Sequence, residues 1–482
     1  MGKREKPMQL VPSTIIALIA ILILFAKGPR RGLWAFLALA PFGAAAAFNL
    51  PALGGATIGL KELTVVALIV VIWITPDGPN RLLGTLRPGQ PGFILLLLMI
   101  VCALSAIFAP VVFRGETEVF SLSRSANTRG IISIPLRANT GNITQLFTMS
   151  LAALSFLIFA TAFRVRPDAK AVLTGMAVAT GIHFVLGWLD ILTGAAGLSV
   201  LMEPIRTANY AILDDVRMIG LKRMIGGFSE ASSFGKFSLA LFAFWLPCWI
   251  GSPSSRLAQV MLAASTIVLL RSTSSSAYVA LVVFLLGYGL FAATARMQSM
   301  VPKRMVIVFF VGILTFWMAA LALYASYQLV DPVTAFLDRA ILDKMDTQSG
   351  LERMSWNTQA FRNFTDTKLV GAGLGSVRAS NWLIACLGSI GLIGTLLFLA
   401  FLTSLVRLPA RSDNPEVTIV ITALKSACFA IFIAALLTSA TPNLGVFFFT
   451  LAGLAAGLSR GTSLAQQTTL AQQTTLASQT AT

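Results

Sequence analysis

Charge is scarce in this chain: 11% of its 482 residues are Asp, Glu, Lys or Arg, against 56% hydrophobic residues. Water-soluble domains carry about 25% charge, so the composition excludes a chain built of soluble domains. Histidine occurs once, at His183, which excludes a histidine-cluster metal site, and no DxD or multi-carboxylate run offers a metal cage, so neither metal nor cofactor is expected. The four cysteines, Cys102, Cys248, Cys386 and Cys428, all fall inside apolar runs. That excludes a disulfide framework and leaves buried thiols. Acidic residues are outnumbered, 19 against 36 basic ones, for a net charge of +17. Apolar and polar residues do not alternate in runs such as Phe93 to Phe113, which excludes a β-barrel.

Apolar runs instead recur from Leu10 to Leu458. They predict an all-α fold, a polytopic transmembrane bundle of about 12 or 13 helices. Met1 to Lys6 is basic and precedes an apolar run from Leu10 to Ala26, the outline of a signal peptide. No small-residue cleavage pattern precedes Lys27 and further spans follow, so this run is read as the first membrane helix. Further helices are predicted near 33–50, 57–75, 92–113, 144–163, 170–194, 232–250, 256–270, 274–294, 304–327, 379–406, 416–438 and 441–459. Residues 1–462 form a single transmembrane domain. Residues 463–482 repeat LAQQTT, a polar low-complexity tail that cannot bury a core and is expected to be disordered.

Short basic connections set orientation. Arg164, Arg166 and Lys170, then Arg296, Lys303 and Arg304, then Arg407 and Arg411 all read as cytoplasmic, which puts the large loops 195–231 and 328–378 on the outer face with a third polar loop at 114–143. Met1–Lys6 and Lys27–Arg31 lie on opposite sides of one helix, so one of these two clusters breaks the rule. Orientation accounts for about half of the basic excess. The remainder sits in the long loops and calls for an anionic partner, for which a phosphorylated lipid serves and nucleic acid is not required.

The first large loop reads DDVRMIGLKRMIGGFSEASSFGKF. It places Asp214, Asp215, Arg217, Lys222 and Arg223 ahead of Gly226, Gly227 and Glu230, where the next helix begins. Arginine grips phosphate with paired hydrogen bonds, and adjacent glycines free the backbone to approach it. Headgroup anchoring by Arg217 and Arg223 and helix capping by Glu230 are the competing reading. Arg271 opens RSTSSSAYVAL, a hairpin whose hydroxyls can bond a sugar or neighbouring helix backbone. In the second loop Arg353 and Arg362 stand nine residues apart, on opposed faces of one helix, so they need not grip the same group. Glu352 beside Arg353 stays ionised rather than poised as a base. The glycines of GAGLG (371–375) could present N–H groups to phosphate or simply form a turn. Acids and bases balance across this loop, so any selectivity is local. His183 stands about two turns before Asp190; it reads as structural, although a His–Asp pair inside a membrane span also suits a proton-coupled transporter.

Four patterns, RMIGGFSEASSFG, LLRSTSSSAYVAL, RMSWNTQAFRNF and GAGLGSVRASNWLIACLGSIGLIG, resemble the bacterial O-antigen polymerase and ligase superfamily, membrane glycosyltransferases that use undecaprenyl-diphosphate-linked glycans. The first looks like the Arg-Gly-Phe-Ser-Glu-x-Ser signature of exopolysaccharide polymerases, and Arg362 with Gly373 fits an Arg-x10-Gly spacing of polymerase loops. Ligases of the superfamily usually place a histidine where this chain has Ser380 and Asn381, so the resemblance favours a polymerase. It implies a metal-independent glycosyltransferase in the bacterial inner membrane, facing the periplasm, that polymerises O-antigen, capsule or exopolysaccharide repeat units. The growing glycan would leave undecaprenyl diphosphate for an incoming lipid-linked unit, beside a flippase and a chain-length regulator. Under this resemblance Arg271 and Glu230 are the expected catalytic residues, with Asp215 as second choice of base, and Arg217, Arg223, Arg353, Arg362 and Arg378 bind pyrophosphate or glycan. The alternatives are an O-antigen ligase, a protein O-oligosaccharyltransferase or a polysaccharide flippase; no internal repeat of the kind usual in transporters is found.

Overall fold

A computed structural model describes residues 8–50, 56–122, 131–214, 216–218, 221–297, 310, 348–410 and 412–480. The chain is mostly helical. Among the described residues six helices are long and apolar enough to cross a membrane: α5 (Pro91–Val112), α6 (Thr140–Val165), α7 (Ala169–Ala195), α8 (Ala231–Gly251), α12 (Trp382–Val406) and α13 (Pro415–Thr438). Their ends fall within a few residues of the apolar runs that predict them. Further helices complete the bundle: α1 (Thr14–Arg31), α2 (Leu33–Ala38), α3 (Leu60–Ile74), α4 (Gly78–Leu83), α9 (Arg256–Arg271), α10 (Ser275–Met297) and the loop helix α11 (Gln348–Asp366). The last helix, α14 (Gly445–Thr480), runs on through the LAQQTT repeat, whose Ala, Leu and Gln favour helix. The span expected at 304–327 and the first half of the second large loop lie outside the described residues.

Departures from an all-α plan have local causes. The helix expected over 33–50 stops at Ala38, ahead of Pro41 and Gly43. The chain then enters a three-stranded antiparallel sheet formed by β1 (Gln9–Leu10), β2 (Ala46–Leu50) and β3 (Ala56–Gly59). Residues 39–47 are almost all buried, so this non-helical backbone is shielded by protein, as membrane-depth loops must be. A hairpin of β4 (Glu118–Leu122) and β5 (Ile131–Pro135) braces α11, since Asn363 Nδ2 donates to Thr117 Oγ1 at 3.0 Å and to the Glu118 carbonyl at 2.6 Å.

The helices have two distinct ends. At one, the loop after α7 meets the starts of α1 and α8 and the end of α9. At the other, Lys27–Arg31 shares a cavity with Arg81 and Arg166, and Arg164 and Arg460 donate to the Gly84 and Gly89 carbonyls. Lys27–Arg31 therefore joins the Arg164–Lys170 connection, and strand β1 places the N-terminal segment at the opposite end. Met1–Lys6, the other half of the charge conflict noted in the sequence, lies outside the described residues.

Helix α14 packs along α6 with its backbone pressed against the partner. Gly453, Gly457 and Gly461 recur every fourth residue, and a Cβ at Gly453 would stand 2.4 Å from the Phe156 carbonyl oxygen and at Gly457 2.8 Å from that of Ala160. Small residues at this spacing let membrane helices approach closely. Replacing Gly453 by alanine is expected to lower stability by about 1–3 kcal/mol, because a rigid carbonyl must move. Gly181→Ala on α7, where a Cβ meets nothing within 4 Å, should instead be neutral or stabilising by up to about 1 kcal/mol. Thermal unfolding of the two variants in one detergent decides; equal behaviour would show that the α6–α14 contact is looser than described.

Candidate anion site at the start of helix α8

The site begins with a buried carboxylate. Asp190, near the end of α7, is fully shielded from solvent, and a lone charge there would be strongly disfavoured. It is met on every side: Arg206 Nη2 donates to Oδ1 at 2.6 Å and Lys222 Nζ at 2.9 Å, while the backbone N–H groups of Ile225 and Gly226 donate to Oδ2 at 2.9 and 3.1 Å. Arg206 returns to the same turn, where Nε and Nη2 donate to the Gly226 carbonyl at 3.1 and 2.8 Å. Gly226 has φ +51°, so the turn that offers its N–H inward and its carbonyl to Arg206 suits glycine. The floor is the irregular segment after α2, where Ala44 N donates to the Gly227 carbonyl at 2.7 Å.

This fastening fixes what flanks it. Arg223 precedes the pinned turn and Glu230 follows it as the N-cap of α8, its carboxylate accepting from Ser232 Oγ and, at 3.2 Å, from Ser233 Oγ. Arg271, the last residue of α9, donates through both terminal nitrogens to the Lys222 carbonyl at 3.3 Å, beside Arg223. Tyr278 feels the charges of both Arg271 and Arg223. Arg353, exposed on α11, acts on Arg223 and on Lys236, a half-buried lysine on α8 that also feels Glu230. Burial holds the Arg223 guanidinium below its ordinary value; Glu230 and Tyr278 pull back upward and the Arg353 charge adds to the lowering. Arg223 Nε is buried with no hydrogen-bond partner among the described residues.

Arg223 and Lys236 thus interact with the Glu230 carboxylate and with Arg353, and Arg271 bonds the Lys222 carbonyl next to Arg223, so these four cations lie near the start of α8, the positive end of a helix dipole. Arg206 and Lys222 do not belong to that set, because both are bonded to Asp190. The arrangement suits an anion of more than one charge with a hydrogen-bonding group beside it.

The other sequence candidates are placed as follows. Arg378 stacks on Trp356 of α11 at 4.7 Å. Arg362 is exposed nine residues from Arg353 on the continuous α11, with no described contact to the cluster. Arg217 contributes backbone to a two-stranded ribbon, paired in register with Lys222, and Asp215 lies outside the described residues. In the GAGLG turn the N–H groups of Ala372 and Gly373 donate to the Gly388 and Ser389 carbonyls at 2.7 and 3.1 Å. They fill a break in α12 at Gly391, whose φ of +66° interrupts the helix, and so do not face a ligand. Hairpin hydroxyls are mostly turned to nearby backbone, with Ser272 Oγ donating to the Leu269 carbonyl and Thr273 Oγ1 to that of Ser272. Ser380 N donates to Asn357 Oδ1 at 2.7 Å and Asn381 caps α12. His183 does not meet Asp190: its Nε2 shares a hydrogen bond of 2.7 Å with Ser238, inside a ring of Phe228, Phe234 and Phe237.

Sequence reasoning passed over Lys236, although a lysine inside the apolar run SSFGKFSLALFAFWL is the kind of intramembrane charge that marks a site. Arg206 carried no local signal, since its role depends on Asp190 across a loop. No protein-family model matches the chain, and no curated protein matches it.

Removing the Asp190 carboxylate leaves Arg206 and Lys222 unpaired, so Asp190→Ala is expected to lower stability by about 3–5 kcal/mol. Lys236→Met removes a charge with no bonded partner among the described residues and should leave the unfolding temperature at or above that of the parent. The reverse order in thermal unfolding would overturn the division between fastening and ligand-facing cations.

Proposed function

We propose that the protein is a membrane glycosyltransferase that polymerises lipid-linked polysaccharide repeat units. One observation carries the reading: three of the motifs that resemble polymerases, far apart in sequence, meet at one place. RMIGGFSEASSFG supplies Arg223 and Glu230, with Lys236 one residue beyond it, LLRSTSSSAYVAL supplies Arg271 and Tyr278, and RMSWNTQAFRNF supplies Arg353. The proposed reaction proceeds at the outer face of a bacterial inner membrane, on undecaprenyl-diphosphate-linked oligosaccharide.

In that reaction the sugar C1–O bond to the pyrophosphate breaks while C1 bonds to a hydroxyl oxygen of the incoming unit. Negative charge grows on the departing phosphate, where Arg223, Arg271, Arg353 and Lys236 stabilise it more in the transition state than before it. The hydroxyl proton passes to Glu230, held at the cap by Ser232 and Ser233 and facing the same space. Arg378 and Arg362, on the turn after α11 and on its outer side, suit contacts to the sugar chain. The proton-coupled transporter loses its basis, since Asp190 is saturated by Arg206 and Lys222 and His183 by Ser238 on one side.

Purified protein given lipid-linked repeat units should produce a ladder of products. Arg223→Ala, Arg271→Ala and Arg353→Ala are each expected to reduce its rate by about a hundredfold or more, and Glu230→Gln by about 10²–10⁴. Arg362→Ala, which removes only a contact to the sugar chain, should lower the rate by less than any of these. Ladders of normal length and yield from the three arginine variants at normal protein levels would refute the assignment.

A further inference from the structure

A second basic cluster lies at the other end of the bundle and plays no part in the proposed transfer. There a cavity of about 500 Å³ is lined by Lys27, Arg30, Arg31, Arg81 and Arg166, with the apolar Ile72 and Val165 beside them. The volume falls within the roughly 300–1,000 Å³ of small-molecule sites. Twenty-one residues of α7 separate its first turn, beside this cavity, from Asp190, a rise of about 30 Å. The two sites therefore stand a membrane thickness apart.

Orientation alone does not require such convergence. Basic residues that merely keep connections on one side of a membrane can point anywhere into water, whereas here they come from three separate segments onto one concavity. The first segment is bent to do so: α1 breaks at Gly28, with φ +71°, and Pro29 follows, which turns Arg30 and Arg31 under the bundle. Neighbouring arginines that serve the fold are recognisable by their bonds, as Arg164 donates to the Gly84 carbonyl at 2.9 Å and Arg460 to that of Gly89 at 3.1 Å. The side chains of Arg30, Arg31 and Arg166 have no hydrogen bond or ion pair among the described residues. Lys27 lies over the Trp34 ring at 5.7 Å, and Arg81 has only a 3.9 Å contact to the exposed Asp77. Among the described residues the side chains of Arg30, Arg31 and Arg166 are thus left without a partner around a cavity. Ile72, Ala162 and Val165 give the cavity an apolar side; between its lining residues Ile72 and Thr75, Trp73 and Ile74 at the end of α3 are 71% and 69% exposed, and a tryptophan there matches the interfacial belt of a membrane protein.

We propose that this cavity binds the headgroup of an anionic phospholipid, with the phosphate between Arg30, Arg31 and Arg166 and the acyl chains along the exposed faces of α1 and α3. Phosphate is the shared chemistry of a lipid and of the free ion; the apolar side and the place of the cavity at the helix ends favour the lipid. The proposal is independent of the transferase reading.

The test is thermal unfolding of the purified full chain in dodecyl maltoside, titrated separately with dioctanoyl phosphatidylglycerol, dioctanoyl phosphatidylcholine and sodium phosphate. Phosphatidylglycerol should raise the unfolding temperature of the parent protein, and the zwitterionic lipid and inorganic phosphate at equal concentration should not. Arg31→Glu, at an exposed side chain, should raise the half-saturating concentration by about fivefold or more, and Arg30→Ala/Arg31→Ala further, since each basic residue near a lipid surface contributes about such a factor. The paired lysine variant, Arg30→Lys/Arg31→Lys, should keep the response. A parent-like response in Arg31→Glu sinks the proposal, even where the double alanine variant fails to fold. A shift of equal size from inorganic phosphate overturns the lipid as its source.

Discussion

The buried carboxylate of Asp190 is the constraint from which the first face of the anion site follows. A charge at the end of an apolar helix is tolerated only when neutralised and fully hydrogen-bonded, and the residues that satisfy it, Arg206, Lys222, Ile225 and Gly226, all belong to the loop that carries Arg223 to Glu230. Satisfying the acid and shaping the loop are one event. Beyond a short 3-10 helix and a two-stranded ribbon the loop needs no regular secondary structure, because its geometry is dictated from below, by a side chain on the bundle. This also explains how a basic stretch such as LKRMIGG divides its labour: Lys222 turns inward to the acid, and Arg223, one residue on, is left for the candidate anion site.

The second face is held differently. Helix α11 carries Arg353 and is braced by the β4–β5 hairpin through Asn363 and Gln359, and by Ser380 through Asn357. Behind it the Gly371–Gly375 turn repairs the break in α12, with Ser105 of α5 donating to the same Ser389 carbonyl at 2.7 Å. An unsatisfied carbonyl in an apolar bundle costs several kcal/mol, so break and turn are conditions of one another. A glycine-rich sequence here therefore reports helix repair rather than phosphate binding.

Much of the helical layout was legible in the sequence, because long apolar runs bounded by Gly, Pro, Asn or Asp have few other outcomes. The runs behind α5 to α8, α12 and α13 match the structure closely. Segment 33–50 did not, since hydropathy registers burial and cannot tell a helix from an irregular segment enclosed by protein; Pro41 and Gly43 were the local warning. Of the site, the arginines of the quoted motifs were visible by residue type. What could not be seen was partnership: that Lys222 and Arg206 belong to Asp190, that His183 belongs to Ser238, or that Lys236 faces Glu230 and Arg353. Apart from Lys236 and Glu230, which are near in sequence, each is a pairing between distant residues, and only the packing of α7 on the loop and of α8 beneath it decides which charges are left over. The glycines at 453, 457 and 461 were a periodic signal of helix contact in plain sight.

The pairing of α6 with α14 has a consequence for the height of the site. At 26 residues, α6 is about 39 Å long, some way beyond the roughly 30 Å of a hydrocarbon layer. Its tail end sits by the Arg166 cavity, and its first turn, through Asn142 Nδ2, holds the Leu374 carbonyl and Ser376 Oγ at 2.8 Å each. With α14 locked against it backbone to backbone, this rod cannot slip lengthwise. It acts as a stand-off, setting how far above the acyl chains the Gly371–Gly375 turn, and with it the base of α11, is carried.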